Sequence, residues 1–306
     1  MTCDRVSIII LNWNGYCDTS DCLESLRKIN YGNYDVIVVD NCSDNNEADL
    51  LKERFGQWAH IIASENNDGF CKGNNIGIQY ALNSLDPDYV LLLNNDTAVD
   101  VDFLTGLVDA AESRKSAGVV GGKIYFFNDL KQIQIVWGKT NLWHWQLFLS
   151  VPRYSSIRKV VDKGQYDYTR EVDWVSGCCI LIKKEVLNKI GLLEESYFAG
   201  WDDTDYCFCA KKAGFSVLYT HRAQIWHKNA QSFSKVKSYR AYLGARNRFI
   251  FMKRHASKPQ YILFVLSSFT VYFLVMATYY SLVVGKPAIV VSLFKGTVEG
   301  FSSLTK

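Results

Sequence analysis

The stretch Val6-Ser7-Ile8-Ile9-Ile10-Leu11, followed at once by Asn12-Trp13-Asn14-Gly15, decides the fold class. The short apolar run is rich in β-branched residues, which predicts a strand buried on both faces of a sheet. The polar turn after it predicts a loop at the carboxyl end of that strand. Similar short apolar strands are predicted further along the chain, at Asp35–Asp40, His60–Ala63 and Tyr89–Leu93.

Helical patterns separate these strands, at Asp18–Ile29 (with Asp18 or Asp21 as its cap), Glu47–Phe55, Gly73–Leu85 and Val101–Ser113. Strands that alternate with helices over short links predict an α/β fold, with a mostly parallel sheet covered on both faces. Beyond Gly121 the pattern loosens, and Lys123–Arg170 is expected to be irregular. Further predicted elements are a strand or loop at Glu171–Lys184, helices at Glu185–Ile190 and Thr204–Ala213, strands at Ser216–Tyr219 and Ala223–His227, a basic helical stretch at Ser238–His255 and an amphipathic tail at Ala288–Leu304.

The composition is that of an ordinary globular chain of 306 residues, with 48% hydrophobic and 21% charged residues. A net charge of +3 is too small to indicate a nucleic-acid partner, and we expect none. The nine cysteines include no C-x-x-C pair, which argues against a structural zinc site and a disulfide framework. A reducing compartment is the simpler interpretation.

One long apolar segment, Tyr261–Val284, lies near the C-terminus and contains no charged residue, Gly or Pro. As a helix it would be roughly 36 Å long, enough to cross a hydrocarbon core of about 30 Å. Basic residues flank it on both sides, as expected at a membrane face. A buried helix of a soluble bundle is the alternative, and whether the segment spans the membrane or lies in its interface stays open. We therefore expect a catalytic domain at 1–235 and a helical, membrane-associating region at 236–306, through which oligomers could form.

The loops at the carboxyl ends of the predicted strands are rich in Asn, Asp and Gly, and ligands of open α/β sheets bind at that edge. Asp40 could accept a hydrogen bond from a base or a ribose, and Trp13 could stack on a base. The loop from Asn66 to Asn75 contains Gly69 and leads into a helix, whose N-terminal N–H groups suit a phosphate. It is neither a G-x-x-x-x-G-K-[ST] nor a G-x-G-x-x-G motif, so ATP hydrolysis and dinucleotide chemistry lose support.

Acidic residues mark two further positions. Asn94-Asn95-Asp96 ends the fourth strand, where a carboxylate beside amide oxygens suits a divalent cation on a diphosphate. Asp202, Asp203 and Asp205 place three acids close together, which costs energy unless a cation or a catalytic role compensates.

These motifs, in this order, resemble glycosyltransferase family 2, the inverting enzymes of GT-A fold, and most of all its rhamnosyltransferase-type members. The resemblance covers about residues 5–255. It is carried by Ser7–Gly15, Val38–Ser43, Asn66–Asn75, Leu92–Thr97, Ser176–Cys179, Phe198–Asp205, Ala213–Phe215 and His227.

The resemblance implies a role for individual residues. Asp203 matches the general base, with Asp202 where many relatives carry Glu. Asp96 and His227 match ligands of a divalent metal, Mg²⁺ or Mn²⁺, although Asn94 replaces an expected Asp. The residues expected to bind the nucleotide sugar are Asn12, Trp13, Asp40, Asn66, Gly69, Asn74, Asn94 and Asn95. The residues expected near the acceptor are Trp174 and Trp201 as an apolar floor, Asp202, and Arg246 and Arg248 as phosphate ligands.

The expected activity is transfer of a sugar from a UDP- or dTDP-linked donor, with rhamnose as one candidate, to a glycan or lipid-linked acceptor. Asn95-Asp96-Thr97 and Asn41-Cys42-Ser43 are N-glycosylation acceptor sequences within the donor loops. A glycan there would block the site, so we expect the cytoplasmic face of a membrane. Two alternatives remain: a catalytically inactive membrane-docked scaffold, and a sugar nucleotidyltransferase. The latter would need a basic, Gly-rich loop after the first strand, and Asn12–Gly15 is not one.

Overall fold

The computed structural model describes residues 4–140, 142, 160–228 and 237–302. The described residues form two compact units. The first contains 4–138, 160–198 and 202–228. The second contains 199–201 and 237–302, together with 139, 140 and 142.

The first unit is built on one twisted sheet. Its strands are β1 (Val6–Asn12), β2 (Tyr34–Asp40), β3 (Ala59–Ala63), β4 (Tyr89–Asn94), β5 (Thr97–Val99), β6 (Ala117–Phe126), β7 (Asp129–Ile135), β8 (Val160–Val161), β9 (Thr169–Val172), β10 (Cys179–Lys183) and β11 (Ser216–His227). Its helices are α1 (Tyr16–Leu26), α2 (Glu47–Phe55), α3 (Gly69–Tyr80), α4 (Phe103–Glu112), α5 (Lys184–Ile190) and α6 (Asp202–Lys212), and a π-helical turn (Ala81–Leu85) follows α3.

The strand order is β3-β2-β1-β4-β10-β6-β11-β5, and β7, β8 and β9 extend the sheet beside this path. Strands β1 to β4 pair in parallel, β10 runs antiparallel to both of its neighbours, and β11 is parallel to β6. This arrangement confirms the predicted α/β fold with a mostly parallel sheet. The loops after β1, β2 and β4 therefore meet at one edge.

Helix α3 packs closely on the sheet because it carries glycine where it crosses β1. A Cβ on Gly77 would lie 2.5 Å from Ile9 Cγ2, which is inside normal van der Waals contact. Gly69, which begins the helix, has φ +86°, and a Cβ there would lie 2.6 Å from the backbone oxygen of Phe198. Gly77 therefore allows close packing of α3 on β1, and Gly69 allows the left-handed backbone conformation at the start of the helix.

Several sequence-based boundaries were wrong. Helix α1 begins at Tyr16 instead of Asp18, because Glu47 Oε2 accepts the N–H groups of Gly15 and Tyr16 at 2.9 and 3.1 Å. The helix ends at Leu26 instead of Ile29. This cap comes from a distant residue, so neither Asp18 nor Asp21 is needed.

The expectation of irregular chain after Gly121 was also wrong for residues 123–126 and 129–135, which form strands. Strand β6 is buried along nearly its whole length, so it shows no alternation, and its glycines suggest a break that does not occur. Gly122, for instance, gives room to the backbone oxygen of Ala223 on β11, which a Cβ would approach to 2.6 Å. The two short strands expected near the end of the first unit are one bulged strand, β11.

The second unit is helical: α7 (Lys237–His255), α8 (Lys258–Ser267), a π-helical turn (Ser268–Tyr272), α9 (Phe273–Thr278), a second such turn (Tyr279–Val283) and α10 (Ala288–Ser302). Ser257 is the N-cap of α8 and forms a capping box with Gln260, whose side-chain oxygen accepts the Ser257 N–H at 2.8 Å. In the described part of the chain, Lys258–Val283 is one helical stretch long and apolar enough to cross a membrane. Gly300 lets α10 approach the Arg246 backbone of α7.

Candidate active site

The structure brings Asp96 and His227 together at the edge of the sheet. Asp96 follows β4 and His227 ends β11, and pairing of His227 with Thr97 in the β11–β5 ladder fixes their distance. His227 Nε2 lies 3.0 Å from Asp96 Oδ1 and 3.4 Å from the Asn94 amide nitrogen. Asp96 is buried, with 8% of its surface exposed.

The partner of the other ring nitrogen sets the tautomer of His227. Nδ1 lies 2.8 Å from Gln134 Oε1 on β7, which can only accept, so Nδ1 carries the proton. In the neutral ring Nε2 then presents a lone pair to a carboxylate oxygen 3.0 Å away. Two lone pairs facing each other at that distance require a cation or a proton between them. Ligands at about 2.1 Å on adjacent corners of an octahedron are about 3.0 Å apart. The residues present therefore fit a hard divalent cation, with Gln134 orienting the imidazole ligand.

Asp40 lies at the end of β2 and is buried at 3% exposure. Its Oδ1 accepts the Asn12 amide at 2.7 Å, and its Oδ2 accepts the Ser43 backbone N–H at 3.0 Å. Asn12 is held in turn by Thr19, whose hydroxyl donates to its amide oxygen at 2.6 Å. Each carboxylate oxygen has a second lone pair, so Asp40 can still accept a bond from a ligand.

Trp13 lies in the same loop cluster, directly after Asn12, and 39% of its surface is exposed. A large aromatic side chain left in solvent at a polar sheet edge offers a face on which a base could stack. Asn95, after β4, donates from its amide to Thr19 Oγ1 at 3.0 Å. Thr19 thus bridges the first and fourth loops.

The loop before α3 is held in a defined conformation. Asn41 donates to Asn67 Oδ1 at 2.9 Å, and Asn67 accepts the Gly69 N–H at 3.1 Å. Asn74 is buried, and its amide donates back to the Phe70 carbonyl at 2.8 Å, so it stabilises the first turn of α3. Asn66 is exposed in the preceding loop. This places a preformed helix N-terminus beside the loop after β2.

Asp203 lies in the first turn of α6 and is partly buried. One carboxylate oxygen accepts the Gly177 N–H at 3.0 Å, and the other accepts the Thr204 N–H at 2.6 Å and the Thr204 hydroxyl at 3.2 Å. Burial raises the pKa of Asp203 above its ordinary value, and these hydrogen bonds offset part of the shift. The result is a carboxylate of increased basicity that remains held in one orientation.

The two other acids of α6 are more deeply buried than Asp203. Asp202 is 7% exposed, and Asp205, at 3%, accepts the Tyr197 hydroxyl at 3.1 Å. The helix N-terminus favours negative charge at this position. Helix α6 starts at Asp202 instead of the expected Thr204, so the acids belong to its first turn.

The residues expected to contact an acceptor are found in different surroundings. Trp174 is 2% exposed, and the chain at Gly138 pairs with it and lies against its indole. Trp201, Arg246 and Arg248 belong to the second unit. There Trp201 packs against Phe251, with ring centroids 5.4 Å apart, and Arg246 Nε donates to Glu299 at 3.0 Å.

Arg248 is fully buried in the second unit, with its guanidinium 3.6 Å from the centre of the Tyr272 ring. It also donates to Ser268 Oγ at 3.2 Å, and burial lowers its pKa to about 10. Its charge is thus stacked on an aromatic ring inside the helical unit.

Two residues that position the site were missed from the sequence. Gln134 lies in a segment expected to be irregular, and its role depends on β7 pairing beside β6. Glu47 was placed correctly on α2, but its contact with the start of α1 is not local. No spacing in the sequence signals either contact.

Comparisons with known proteins identify the family and the fold of the chain. The sequence model of Glycosyl transferase family 2 matches residues 7–191. The chain is 26% identical over 253 residues to the low-salt glycan biosynthesis hexosyltransferase Agl10 of Haloferax volcanii, covering 81% of this chain and 75% of that protein. It is 28% identical over 178 residues to the N-acetylglucosaminyl-diphospho-decaprenol L-rhamnosyltransferase of Mycobacterium tuberculosis, covering 55% and 56%.

Among solved structures, the mannosyltransferase PcManGT from Pyrobaculum calidifontis, in complex with GDP-Man and Mn²⁺, superimposes with a TM-score of 0.59 at 14% identity. That match covers 97% of this chain and 87% of the other, and at this identity it shows a shared fold. The family match spans more than half of the chain and includes Asn12, Asp40 and Asp96. The chain is therefore a glycosyltransferase of GT-A fold and belongs to glycosyltransferase family 2.

Proposed function

We propose that this chain transfers a hexose or deoxyhexose, with rhamnose as the first candidate, from a nucleoside diphosphate sugar to a lipid-linked or glycan acceptor. The named relatives support this choice, because they include a hexosyltransferase of glycan synthesis and a rhamnosyltransferase whose acceptor name is a lipid diphosphate. The observation that carries the proposal is the arrangement of Asp96 and His227, 3.0 Å apart, at the edge where the donor loops converge.

In this proposal the loops after β1 and β2 bind the nucleoside. Trp13 stacks on the base, and Asp40 accepts a hydrogen bond from the base or the ribose. Asn12 and Ser43 hold Asp40, and each of its carboxylate oxygens keeps a second lone pair for a ligand. The phosphates lie toward the N-terminus of α3, where Asn66, Gly69 and Asn74 shape the approach and the helix dipole favours negative charge.

Asp96 and His227 would hold Mg²⁺ or Mn²⁺, with Asn94 as a weaker neighbour whose amide nitrogen lies 3.4 Å from Nε2. When bound, such an ion neutralises the charge that develops on the departing diphosphate. Asn95 supports this turn through its bond to Thr19. Gln134 keeps the proton of His227 on Nδ1, so that Nε2 is free to coordinate.

Asp203 acts as the general base in this account. It takes the proton from the acceptor hydroxyl while that hydroxyl attacks the anomeric carbon from the face opposite the diphosphate, which inverts the configuration. The Gly177 N–H keeps one carboxylate oxygen of Asp203 in place. The raised pKa of Asp203 makes this carboxylate a stronger base. A diphosphate on a metal needs no acid to leave, unlike the alkoxide in glycoside hydrolysis.

On the acceptor side the proposal keeps Asp202, beside the base in the chain, and the aromatic residue Trp174. Of the two arginines, the proposal keeps Arg246 as a candidate phosphate ligand, because Arg248 is fully buried against the Tyr272 ring and is not accessible to a phosphate. A lipid phosphate that reached Arg246 would have to displace Glu299, which now pairs with it. The helical stretch Lys258–Val283 would hold the enzyme at the cytoplasmic face of a membrane, close to a lipid-linked acceptor.

The test is turnover of a panel of UDP-, dTDP- and GDP-sugars by the full chain in detergent or vesicles, with and without Mn²⁺. We expect release of the nucleoside diphosphate and a product sugar on one acceptor class, lost when a chelator is added. Formation of a nucleotide sugar from a sugar phosphate would instead support a nucleotidyltransferase. Equal turnover with and without the metal would contradict the role of Asp96 and His227.

A further inference from the structure

A short segment leads directly into the helix that carries the proposed base. We call residues Ala199–Trp201 the strap. Just before it, the Phe198 carbonyl accepts the Phe70 N–H at 2.7 Å. Just after it, Asp202 and Asp203 begin α6. The position of the Asp203 backbone is therefore set in part by the strap, to which it is joined covalently.

Asn247, in the middle of α7, holds the strap. It is completely buried, and its amide nitrogen donates to the carbonyls of Ala199 and Gly200 at 3.0 and 2.9 Å. Both amide hydrogens are thus used on consecutive peptide groups. A buried amide with two such bonds fixes a backbone segment more strictly than apolar packing would.

The orientation of Asn247 is itself fixed. Arg246 donates to the Asn247 amide oxygen at 3.0 Å and to Glu299 at 3.0 Å. Tyr242 donates to the other oxygen of Glu299 at 2.6 Å. The network runs from Glu299 on α10 through Arg246 and Asn247 to the strap, so the amide cannot rotate without loss of further bonds.

The strap has a conformation that needs external support. Gly200 has φ +81° and Trp201 has φ +79°. A left-handed conformation is costly for a bulky residue such as Trp, and it persists where the surroundings fix it. Asn247 and the packing of Trp201 on Phe251 supply that constraint.

We propose that Asn247 is a positioning residue for the proposed general base: it fixes the strap and so the start of α6, where Asp203 meets the Gly177 N–H. The inference rests on the proposed function. A strap that shifts would weaken the hydrogen bonds that orient Asp203 and stabilise its charged form. The donor loops of β1, β2 and β4 would be unaffected. The loss should thus fall on turnover and on the pKa of the base, with donor binding preserved.

The experiment compares Asn247→Ala and Gly200→Ala with wild type in the full chain. Gly200→Ala strains the strap without a clash, since a Cβ there would meet nothing within 4 Å. Gly214→Ala is the matched control, because Gly214 has φ +92° and equal space but lies at the end of α6 remote from the base. Leu293→Ala controls for loosening of the second unit, where Leu293 packs with Ala245 and Ile289.

We expect both strap variants to lower kcat by about 10- to 100-fold, the scale of a small misplacement of a reacting group. Donor KM and nucleoside diphosphate affinity should stay within about twofold, and the acid limb of the kcat–pH profile should move to higher pH. The two controls should lose stability without moving that limb.

Unchanged kcat and an unchanged acid limb in a folded Asn247→Ala or Gly200→Ala protein would overturn the positioning role. The same loss of kcat in the control variants would also overturn it. Asp203→Asn, measured in parallel, separates the two claims. If that variant keeps full activity, the base assignment fails; if it is inactive while the strap variants are normal, only the inference about Asn247 fails.

Discussion

Replacement of Gln134 by Leu should weaken metal binding without touching a metal ligand. Gln134 Oε1 is the acceptor that holds the proton of His227 on Nδ1, at 2.8 Å. Leu has nearly the same size but cannot accept. His227 then loses its preference for the tautomer that presents a lone pair toward Asp96, and its ring is free to turn.

The magnitude follows from one neutral hydrogen bond in a partly buried site, which contributes about 0.5–1.5 kcal/mol. Loss of such an outer partner of a metal-bound histidine typically lowers metal affinity by roughly 10- to 100-fold. Because only one bond is removed and water can partly replace it, we expect the lower end, about tenfold or 1.4 kcal/mol.

The assay is titration of the protein with Mn²⁺ in the presence of a saturating nucleoside diphosphate, followed by electron paramagnetic resonance of free Mn²⁺. Gln132→Leu is the matched control, since Gln132 lies on the same strand and pairs there with Val161 of β8. Gln134→Glu keeps the acceptor and should bind Mn²⁺ at least as well as wild type. Equal Mn²⁺ affinity for Gln134→Leu and wild type would refute the assignment of His227 as an oriented ligand.

Three further predictions concern stability and location. Because folding raises the pKa of Asp203, the folded wild type keeps a proton that the unfolded chain releases. The free energy of unfolding of wild type, relative to Asp203→Asn, should be greatest below about pH 4 and should fall as the pH rises. A difference in urea unfolding that does not depend on pH would contradict this. Gly138→Ala should cost about 1–3 kcal/mol by overpacking against the indole beside it, whereas Gly32→Ala, with open space around it, should be near neutral in the same assay. Leu274→Asp should reduce flotation with lipid vesicles, because it places a charge in the apolar stretch. Leu130→Asp should not, although Leu130 is 63% exposed and Leu274 is 65% exposed. Equal flotation of the two variants would exclude the apolar stretch as the membrane contact.

Much of the fold was predictable because its central strands are strong local signals. The apolar runs at β1, β2 and β4 are short and are followed by polar turns, so the hydrophobic pattern and the turn residues predict the same strands. Strand β6 was missed for the opposite reason. It is buried on both faces and carries glycines, which look like breakers in sequence but serve close packing in the sheet.

The acidic residues of the candidate site could be predicted where they lie at the end or the start of a single strand or helix. Asp40 ends a strand, Asp96 follows one, and the acids of α6 begin a helix. The order of the strands brings Asp40 and Asp96 to the same edge of the sheet. The residues that fix their geometry were not predictable. Glu47, Gln134 and Asn247 act through contacts between elements far apart in sequence, and a lone Gln or Asn on such an element gives no local signal.

The central claim, that Asp203 is the base of a transfer reaction, is tested most directly by turnover of Asp203→Asn beside Asp202→Asn, with nucleoside diphosphate affinity measured on the same samples. The amide keeps the shape of Asp203 but cannot take the acceptor's proton. We predict that Asp203→Asn loses about 10²- to 10⁴-fold in kcat, with affinity for the nucleoside diphosphate in Mn²⁺ nearly unchanged, and that Asp202→Asn keeps most of its turnover. Full loss in Asp202→Asn with activity retained in Asp203→Asn would move the base to the neighbouring residue, and activity retained in both would contradict the mechanism.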